Sequence, residues 1–376
     1  MKIKDSLYIW QRRDWTEWRY NLPTLIPLMT EIHHAQGVLL GRLVNVLPSL
    51  RSQAGLLVLT DDVLKTSEIE GELLNAASVR SSLAKRLGID AGAVTPIDRH
   101  VDGIVEMVLD ATSHSSRPLS QKRLFAWHAA LFPTGYSGMD KIRVGKWRDD
   151  SSGAMQVVSG PIGRRKVHFE APPAHILPDE IKRFLGWANQ KSEEPELIKA
   201  GLAHLWFVTL HPFDDGNGRI ARAVSDLFLA RADGCPQRLY SLSAQLQRER
   251  KDYYNSLELA QKGGADVTDW LLWFLGALSR AVNEAHSVLD AVLMKSQFWQ
   301  QWATAPLNER QVKLLNRLLD GFSGKLTTAK WASIAHCSHD TALRDINQLL
   351  ALGALMKSSS RGRNTAYELP PVLSKR

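Results

Sequence analysis

The segment that decides the fold and function class of this chain is a twelve-residue stretch, His211-Pro212-Phe213-Asp214-Asp215-Gly216-Asn217-Gly218-Arg219-Ile220-Ala221-Arg222. Glycines in a turn that leads into a helix let the backbone approach a bound phosphate, and the helix N-terminus favours negative charge. Asp215 can hold a divalent cation there, while Arg219 and Arg222 lie on one helix face. His211 adds a group that titrates near neutrality. Together these parts predict phosphoryl or nucleotidyl transfer.

The stretch resembles the Fic motif, H-x-F-x-[DE]-G-N-G-R-x-x-R, and matches it at every specified position. Fic proteins are mostly α-helical enzymes that transfer AMP from ATP to a hydroxyl side chain of a target protein. The resemblance implies that His211 deprotonates this hydroxyl and that Asp215 holds Mg²⁺ on the α- and β-phosphates. It also implies that Phe213 is buried and anchors the loop. The pair Gly218-Arg219 favours AMP transfer, because a phosphorylating relative carries lysine in this region.

The same resemblance predicts how ATP is held. The phosphates would lie in a cradle made by one side chain and two backbone amides, those of Asn217, Gly216 and Gly218, and the outer phosphates would bind Arg219 and Arg222. A helix predicted over residues 241 to 262 resembles the family's helix after the motif. Three of its residues are predicted to contact adenine: Tyr253, Tyr254 and Gln261.

The composition is that of an ordinary globular protein of two or three domains. Of the 376 residues 44% are hydrophobic and 23% are charged, and no run of about 18 apolar residues occurs. The first residues do not resemble a signal peptide, and the two cysteines, Cys235 and Cys337, match no metal-binding spacing. We therefore expect a cytoplasmic protein with no membrane association.

Residues 1–95 are predicted to be an N-terminal helical region that contains an inhibitory helix. Thr66-Ser67-Glu68-Ile69-Glu70-Gly71 places Thr66 and Glu70 four residues apart, on one helix face. A solvated helix surface explains such a pattern by itself. Beside a Fic motif, however, it resembles the family's inhibitory motif, [ST]-x-x-x-E-[GN], which includes Gly71. The resemblance implies that Glu70 binds Arg222 within the same chain and competes with a phosphate for the guanidinium.

Residues 96–290 are predicted to form the catalytic core, which is expected to be helical from about residue 98 to 145 with breaks at Pro118 and Pro133. Two β-prone runs, Met155 to Ser159 and Lys166 to Glu170, flank a Gly-Pro-x-Gly turn and predict a β-hairpin among helices. In Fic proteins the corresponding hairpin is a flap that aligns the target backbone by strand addition. The flap residues predicted to dock the target are Val157, Val158, Ser159, Val167 and His168. Arg164, Arg165 and Lys166 make the tip basic, which solvation alone can explain.

Residues 297–376 are predicted to form a small winged-helix domain. Helices are expected over residues 307–319, 330–336 and 338–350, followed by a basic turn, Arg361-Gly362-Arg363. This region carries eleven Lys/Arg against five Asp/Glu, a net charge of +6 out of the chain's +8. Four residues of the third helix could read base edges: Thr341, Arg344, Asn347 and Gln348. DNA binding through this domain and a protein contact both stay open.

The predicted fold is thus mostly α, a Fic-type helical core with a β-hairpin flap and a C-terminal winged helix. The predicted function is a protein adenylyltransferase that uses ATP and Mg²⁺ and is inhibited in cis by Glu70 against Arg222. Two alternatives remain: a DNA-binding regulator whose core senses nucleotide, and a bifunctional enzyme that also removes AMP. The sequence does not identify the target, although self-modification and a homodimer are both compatible with it.

Overall fold

A computed structural model of the chain describes residues 7–44, 46–89, 95–151, 153–160, 164, 166–234, 238–319, 322, 324–358 and 365–370. By its internal contacts the chain divides into two compact units, residues 1–285 and 286–376. The described part is mostly helical, which confirms the predicted fold class. The division into three domains stays a prediction. Within the described ranges, no helix combines the length and apolar character needed to cross a membrane.

Eleven α-helices and four short strands begin in the described residues of the first unit. The helices are α1 (Leu22–Val44), α2 (Pro48–Ile69), α3 (Ala76–Leu87), α4 (Arg99–Ser113), α5 (Gln121–Leu131), α6 (Leu177–Asn189), α7 (Glu196–Leu210), α8 (Asn217–Asp233), α9 (Leu242–Arg248), α10 (Arg250–Gln261) and α11 (Thr268–Gln301). The strands are β1 (Tyr136–Ser137), β2 (Asp140–Lys141), β3 (Gln156–Ser159) and β4 (Lys166–Glu170). Short 3-10 turns cover Ile9–Gln11 and Ala174–Ile176.

Helix α7 is the centre of the first unit. Every side chain from residue 197 to 210 is buried, as the nearly continuous apolar sequence predicts for a helix packed on all sides. Helix α8 packs along it, and α11 approaches it closely at Gly201. A Cβ at Gly201 would lie 2.8 Å from a methyl carbon of Leu271, so only glycine permits this approach. The α7–α8 pair therefore gives the intervening turn a rigid base.

The aromatic N-terminal segment packs on the same core. Trp15 and Trp18 form edge-to-face contacts with each other and with Trp206 of α7. Tyr8 makes an edge-to-face contact with Phe169 of β4 at a ring separation of 5.1 Å. These rings bury apolar area in geometries that aromatic pairs prefer. They attach the start of the chain to α7 and to the hairpin.

Two predicted elements differ from the structure. The stretch after Pro133, predicted to be helical up to residue 145, instead contains the hairpin β1–β2, because a pair of positive-φ glycines, Gly135 and Gly138, makes turns there. The helix predicted over 241–262 is two helices, α9 and α10. They separate at Glu249, whose carboxylate accepts hydrogen bonds from two nitrogens of Arg280.

Strands β3 and β4 form the predicted antiparallel hairpin. Val158 pairs with Val167, and the register shifts between Val157 and Val158. The basic tip is described only at Arg164 and Lys166, because Arg165 lies outside the described residues. The bulge bends the two strands, as an irregular register does in an isolated ribbon.

The second unit has its own apolar core. Helices α12 (Glu309–Leu319), α13 (Thr328–Ala335) and α14 (His339–Leu352) surround the fully buried Trp331, and β5 (Met356–Lys357) pairs with β6 (Tyr367–Glu368). This is the element order of the predicted winged helix, although the basic turn Arg361-Gly362-Arg363 lies outside the described residues. Gln348 bonds Gln311 and a backbone carbonyl, so its side chain serves the packing of this unit. A winged helix and its partner stay predictions.

We predict that Gly103→Ala destabilises the first unit. A Cβ at Gly103 in α4 would lie 1.9 Å from the carbonyl oxygen of Ala130 in α5, a clash that only backbone movement can relieve. The free energy of unfolding should fall by about 1–3 kcal/mol. Gly37→Ala is the matched control, since its Cβ would meet nothing within 4 Å and should stabilise α1 by about 0.5–1 kcal/mol. Urea denaturation measures both, and an equal response would contradict the packing argument.

Candidate functional site

A cavity of about 850 Å³ in the first unit brings together four stretches that are far apart in sequence. Predicted residues that line it are His211, Asp215, Asn217 and Gly218 of the motif, Val157, Val158, Ser159 and His168 of the hairpin, Glu70 of α2, and Tyr253, Tyr254 and Gln261 of α10. The remaining predicted residues, Thr66, Gly71, Val167, Gly216, Arg219 and Arg222, are outside this lining. The volume is in the range of sites for small ligands and cofactors.

His211 ends α7 in a left-handed backbone conformation, with φ 48° and ψ 56°. Its backbone N–H donates to Phe207, and ring Nδ1 lies 3.2 Å from the carbonyl oxygen of Val208. A carbonyl oxygen only accepts hydrogen bonds, so the neutral ring carries its proton on Nδ1 and a lone pair on Nε2. Burial lowers the pKa of His211, and the nearby charge of Arg148 acts in the same direction. The imidazole is therefore neutral and basic at Nε2 at physiological pH.

The turn after His211 is closed by Asn217 and Phe213. The Asn217 side chain accepts from the Phe213 N–H at 2.9 Å and donates to the Phe213 carbonyl at 2.8 Å. The Phe213 ring is fully buried, as expected, and stacks on His128 at 4.2 Å. Because the Asn217 side chain is committed to these two bonds, its backbone N–H is the group left to the predicted phosphate cradle.

Two glycines of the turn make room for neighbouring groups. A Cβ at Gly216, which has φ 80°, would lie 2.9 Å from the Phe132 ring, and one at Gly218 would lie 2.2 Å from Oε1 of Glu70. Gly218 lies in the first turn of α8, where backbone N–H groups lack partners within the helix. The Glu70 carboxylate occupies the space beside this turn, and a phosphate oxygen is suited to the same position.

Asp215 has a carboxylate that is bonded on both oxygens. Oδ1 accepts the N–H of Gly216 at 2.7 Å, Oδ2 accepts the hydroxyl of Ser137, and an Arg219 nitrogen lies 4.0 Å from Oδ2. In the described part of the chain, His, Cys, Asp and Glu side chains form no cluster of three that could hold a metal. One carboxylate beside a phosphate site nevertheless fits Mg²⁺, which takes one or two protein carboxylates together with phosphate oxygens.

Arg222 is bound by Thr66 and Glu70, the two residues that define the predicted inhibitory motif. Nε donates to the Thr66 hydroxyl at 2.7 Å, and Nη2 donates to the Thr66 carbonyl at 2.8 Å and to Glu70 Oε1 at 2.7 Å. Gly71, with φ 85°, follows the end of α2 and turns the chain. Arg222 is only 2% exposed, and its Nη1 has no partner. A buried guanidinium with an unused donor is suited to an additional anion.

A second acidic residue, Glu72, was missed by the sequence analysis. Its Oε2 accepts from Arg219 Nη1 at 2.9 Å, and its other oxygen bonds the ring of His100. Arg219 is 5% exposed, lies over the Phe132 ring, and has no partner at Nε. The segment from Glu70 to Glu72 therefore covers both motif arginines. Only the fold reveals this, because Glu72 lies beyond the helix and belongs to no periodic pattern.

The residues predicted to contact adenine have unequal exposure. Tyr253 is 1% exposed, and its hydroxyl bonds His204 Nε2 at 2.8 Å. Tyr254 is 37% exposed, and Gln261 bonds Thr209 at 3.4 Å. The Tyr253 hydroxyl is thus used within the core, while Tyr253 and the more exposed Tyr254 both line the cavity. The contact of these residues with adenine stays a prediction.

The hairpin is attached to α10 through His168. Its ring bonds the Ser159 hydroxyl at 2.6 Å and Glu258 at 2.7 Å, and the hydrogen bonds of Lys262 and His168 lower the Glu258 pKa to about 2. Val158 and Val167 are each 39% exposed. Val157 and Val158 line the cavity, so the hairpin presents apolar side chains there, while Val167 lies outside the lining and His168 holds the hairpin in place.

Comparisons with known proteins match two parts of the chain to family models and find similar sequences. Residues 118–229 match the Fic/DOC family, and residues 8–89 match a domain of unknown function, DUF4172. Over 235 residues the chain is 27% identical to a protein from Culex quinquefasciatus named protein adenylyltransferase Fic, which covers 57% of this chain and 42% of that protein. Over 124 residues it is 32% identical to a uridine 5'-monophosphate transferase from Xanthomonas campestris pv. campestris (strain 8004), covering 30% of this chain and 21% of that protein.

A solved structure shares the fold. The crystal structure of a Fic family protein from Desulfovibrio desulfuricans G20 aligns with a TM-score of 0.52 at 23% identity, over 93% of this chain and 96% of that chain. The chain thus contains a Fic/DOC domain, which confirms the resemblance seen in the motif. It spans about two fifths of the length of the relative from Culex quinquefasciatus.

We predict that His128 makes the motif turn sensitive to acid. His128 is fully buried, its Nε2 donates to the Asp215 carbonyl, and its Nδ1 accepts the N–H of Gly145, so both ring nitrogens are used by the neutral form. Burial lowers the pKa of His128 to about 4, from 6.5. Between these pH values the unfolded chain binds the additional proton, so the free energy of unfolding falls as pH drops, by about 3 kcal/mol in all.

Urea unfolding of His128→Gln between pH 7.5 and 4 tests this. The variant should be less stable at pH 7.5, because the stacking on Phe213 is lost, but its stability should fall less on acidification. Some acid sensitivity should remain, since burial lowers the pKa of His204 to about 3. His33→Gln, a change at an exposed residue, is the control and should preserve the full acid dependence. Parallel pH curves for all three proteins would contradict the prediction.

Proposed function

We propose that this chain, through its Fic/DOC domain, transfers AMP from ATP to a hydroxyl group of a target protein, with release of diphosphate. The observation that carries the proposal is the pairing of a fixed base with an anion site in one cavity. His211 has its proton directed to Val208, so Nε2 is available, and the first turn of α8 opens beside it. A base and a helix N-terminus that can bind phosphate are the two parts that in-line attack on the α-phosphorus of a nucleotide requires.

In the proposed reaction His211 Nε2 takes the proton of the target hydroxyl. The hydroxyl oxygen forms a bond to the α-phosphorus as the bond from that phosphorus to the bridging oxygen breaks, and diphosphate leaves with the electron pair. Backbone N–H groups of Asn217 and Gly218 would bind phosphate oxygens, as would that of Gly216 once it leaves its bond to Asp215. Arg219 and Arg222 would bind the outer phosphates. Both arginines have an unpaired buried nitrogen, which supports this assignment.

Asp215 is the residue that would hold Mg²⁺. Its carboxylate lies next to the helix N-terminus and is oriented by Gly216 and Ser137. When bound, the ion would reduce the negative charge on the phosphates. Strand β3 would pair with an extended segment of the target, because strand addition fits a two-stranded hairpin whose edge borders the cavity.

The choice of ATP over UTP as the nucleotide is itself part of the proposal, because one relative is named as a UMP transferase. ATP is favoured by the complete motif, and Tyr254, which is partly exposed on the cavity wall, offers a face on which a base can stack. Labelling of protein by α-³²P-ATP and by α-³²P-UTP, compared at equal concentration, separates the two. Preferred incorporation from UTP would retain nucleotidyl transfer and reject AMP as the transferred group.

We further propose that Glu70 and Glu72 inhibit the activity in cis. Each carboxylate occupies one motif arginine, at 2.7 Å and 2.9 Å, and Glu70 also fills the space over Gly218. A phosphate can bind the guanidinium nitrogens that now hold the carboxylates only if the carboxylates leave. The described conformation would therefore be the resting one.

His211→Ala should abolish incorporation of AMP into protein, because no other group replaces Nε2 as the base. We expect a loss of at least about 10²-fold, within the range for general bases. The measurement is radiolabel transferred from α-³²P-ATP in the presence of Mg²⁺, in a chain that also carries Glu70→Gly. His114→Ala, a change at a partly exposed histidine bonded to Asp110, is the control and should retain transfer. Undiminished labelling by His211→Ala would rule out this mechanism.

Glu70→Gly should raise AMP transfer by about 10- to 100-fold, the equivalent of losing one charge-assisted hydrogen bond of about 1.5–3 kcal/mol. Glu72→Gln should raise it less, and the double variant should exceed either. Glu68→Gln is the matched control, since Glu68 bonds Lys65 and Gln247 and not a motif arginine.

Mass spectrometry of the Glu70→Gly chain after incubation with ATP and Mg²⁺ shows whether AMP is added to the chain itself or to a co-purifying partner. Transfer that is equal in the original chain and in all three variants would remove the inhibitory assignment.

A further inference from the structure

A buried arginine outside the motif is bonded to the proposed catalytic histidine. The Arg148 side chain is completely buried, and its Nε donates to the carbonyl oxygen of His211 at 2.7 Å. The Arg148 backbone N–H donates to the carbonyl of Pro212 at 2.9 Å. Arg148 therefore binds two consecutive peptide units at the point where α7 ends and the motif turn begins.

The same guanidinium binds the segment that follows the hairpin. Nη2 donates to the carbonyl oxygen of Pro172, just after β4, and Nη1 donates to Asp150 at 2.9 Å. The other oxygen of Asp150 accepts the N–H of Ala174 at 2.7 Å. All three guanidinium nitrogens are thus used, which is the condition for keeping such a charge buried.

The peptide unit of His211 needs the hydrogen bond from Arg148 because His211 has a positive φ. A side chain with a Cβ rarely adopts the left-handed region, and it persists there only where surrounding contacts hold it. Among the described residues, the ring of His211 bonds the carbonyl of Val208 alone, at 3.2 Å, and so gives no equivalent support. The bond from Arg148 to the His211 carbonyl is the shorter and charge-assisted one.

We infer that Arg148 is a positioning residue for the transfer reaction: it holds the His211 backbone in its left-handed conformation and so aims Nε2 at the target hydroxyl. Through Pro172 it also fixes the hairpin that would dock the target relative to the base. The inference depends on the proposed function for the role of His211 as base. Arg148 itself touches neither nucleotide nor target in this scheme.

The charge of Arg148 can be tested through the pKa of His211, which a purely structural role of Arg148 would leave unchanged. Burial is the main cause of the lowered pKa of His211, and the positive charge of Arg148 adds to it. Removal of that charge should raise the His211 pKa, while Arg148→Lys, which keeps the charge but not the planar fork, should leave it nearly unchanged.

The experiment uses the full chain with Glu70→Gly, into which Arg148→Met and Arg148→Lys are introduced. The matched control is Arg231→Met, because Arg231 also bonds backbone carbonyls, those of Ser115 and Ala188, but lies at the opposite end of α8. Two quantities are measured: kcat and KM for ATP in the labelling reaction, and the titration of His211 by NMR of ¹⁵N-histidine-labelled protein, assigned with His211→Gln.

We expect Arg148→Lys to lower kcat at least tenfold with the KM for ATP within about twofold, because the base is misplaced while the nucleotide site remains. Arg148→Met should lower kcat further and shift the His211 titration, and the acid limb of the pH profile, to higher pH. Arg231→Met should change neither. A kcat for Arg148→Lys equal to that of its parent would overturn the inference, as would a His211 titration that Arg148→Met leaves in place.

The outcomes distinguish a failure of the proposed function from a failure of the proposed positioning role of Arg148. If the Glu70→Gly parent transfers nucleotide neither from ATP nor from UTP, the proposed function is wrong, and the NMR titration alone then decides whether Arg148 controls His211. If Arg148→Met does not fold, the kcat of Arg148→Lys decides. Activity in the parent with no effect of Arg148→Lys rejects only the positioning role.

Discussion

Two hydrogen bonds between the Asn217 side chain, which accepts one and donates the other, and the backbone of Phe213 close the turn between α7 and α8. The proposed reacting groups depend on that turn. The bonds act over four residues, so they fold the chain back before α8 begins. The buried Phe213 ring then anchors the loop against His128. With the turn closed, His211 ends one helix, and the amides of Asn217 and Gly218, in the first turn of α8, begin the next. The base and the anion site are near each other because the same short turn bounds both.

Buried arginines impose the second constraint. Arg219 and Arg222 are almost completely removed from solvent, so in the absence of phosphate each needs another anion. Glu72 and Glu70 supply it from the end of α2, and the Thr66 hydroxyl and carbonyl complete the shell around Arg222. The folded chain is thereby stabilised by contacts that the proposed substrate would have to displace. Proposed inhibition and the burial of charge thus have the same physical origin.

Most helices and the β3–β4 hairpin were predicted from the sequence because the patterns that indicate them are local. Three local patterns each indicate one conformation: the apolar run of α7, the glycines before α8, and the alternating residues of β3 and β4. The prediction was wrong where tertiary contacts override such patterns. Residues 241 to 262 look like one amphipathic helix, yet the bonds of Arg280 to Glu249, from a helix distant in sequence, accompany a break into two. The bond of the Tyr253 hydroxyl to His204 in the core was likewise not visible in the sequence, and the predicted contact of Tyr253 with adenine stays a prediction.

The sequence by itself determined the motif residues, the spacing of the two arginines, the spacing of Thr66 and Glu70 and the mostly helical class. These follow from residue types at fixed short separations, which helix and turn geometry translate directly into shared faces. Only the tertiary structure decided which side chains meet across long separations: Glu72 and His100 at Arg219, Arg148 at His211, and His168 at Glu258. Such pairs are created by the packing of elements that no periodicity relates, and the burial that makes a charge pair strong exists only after those elements have come together.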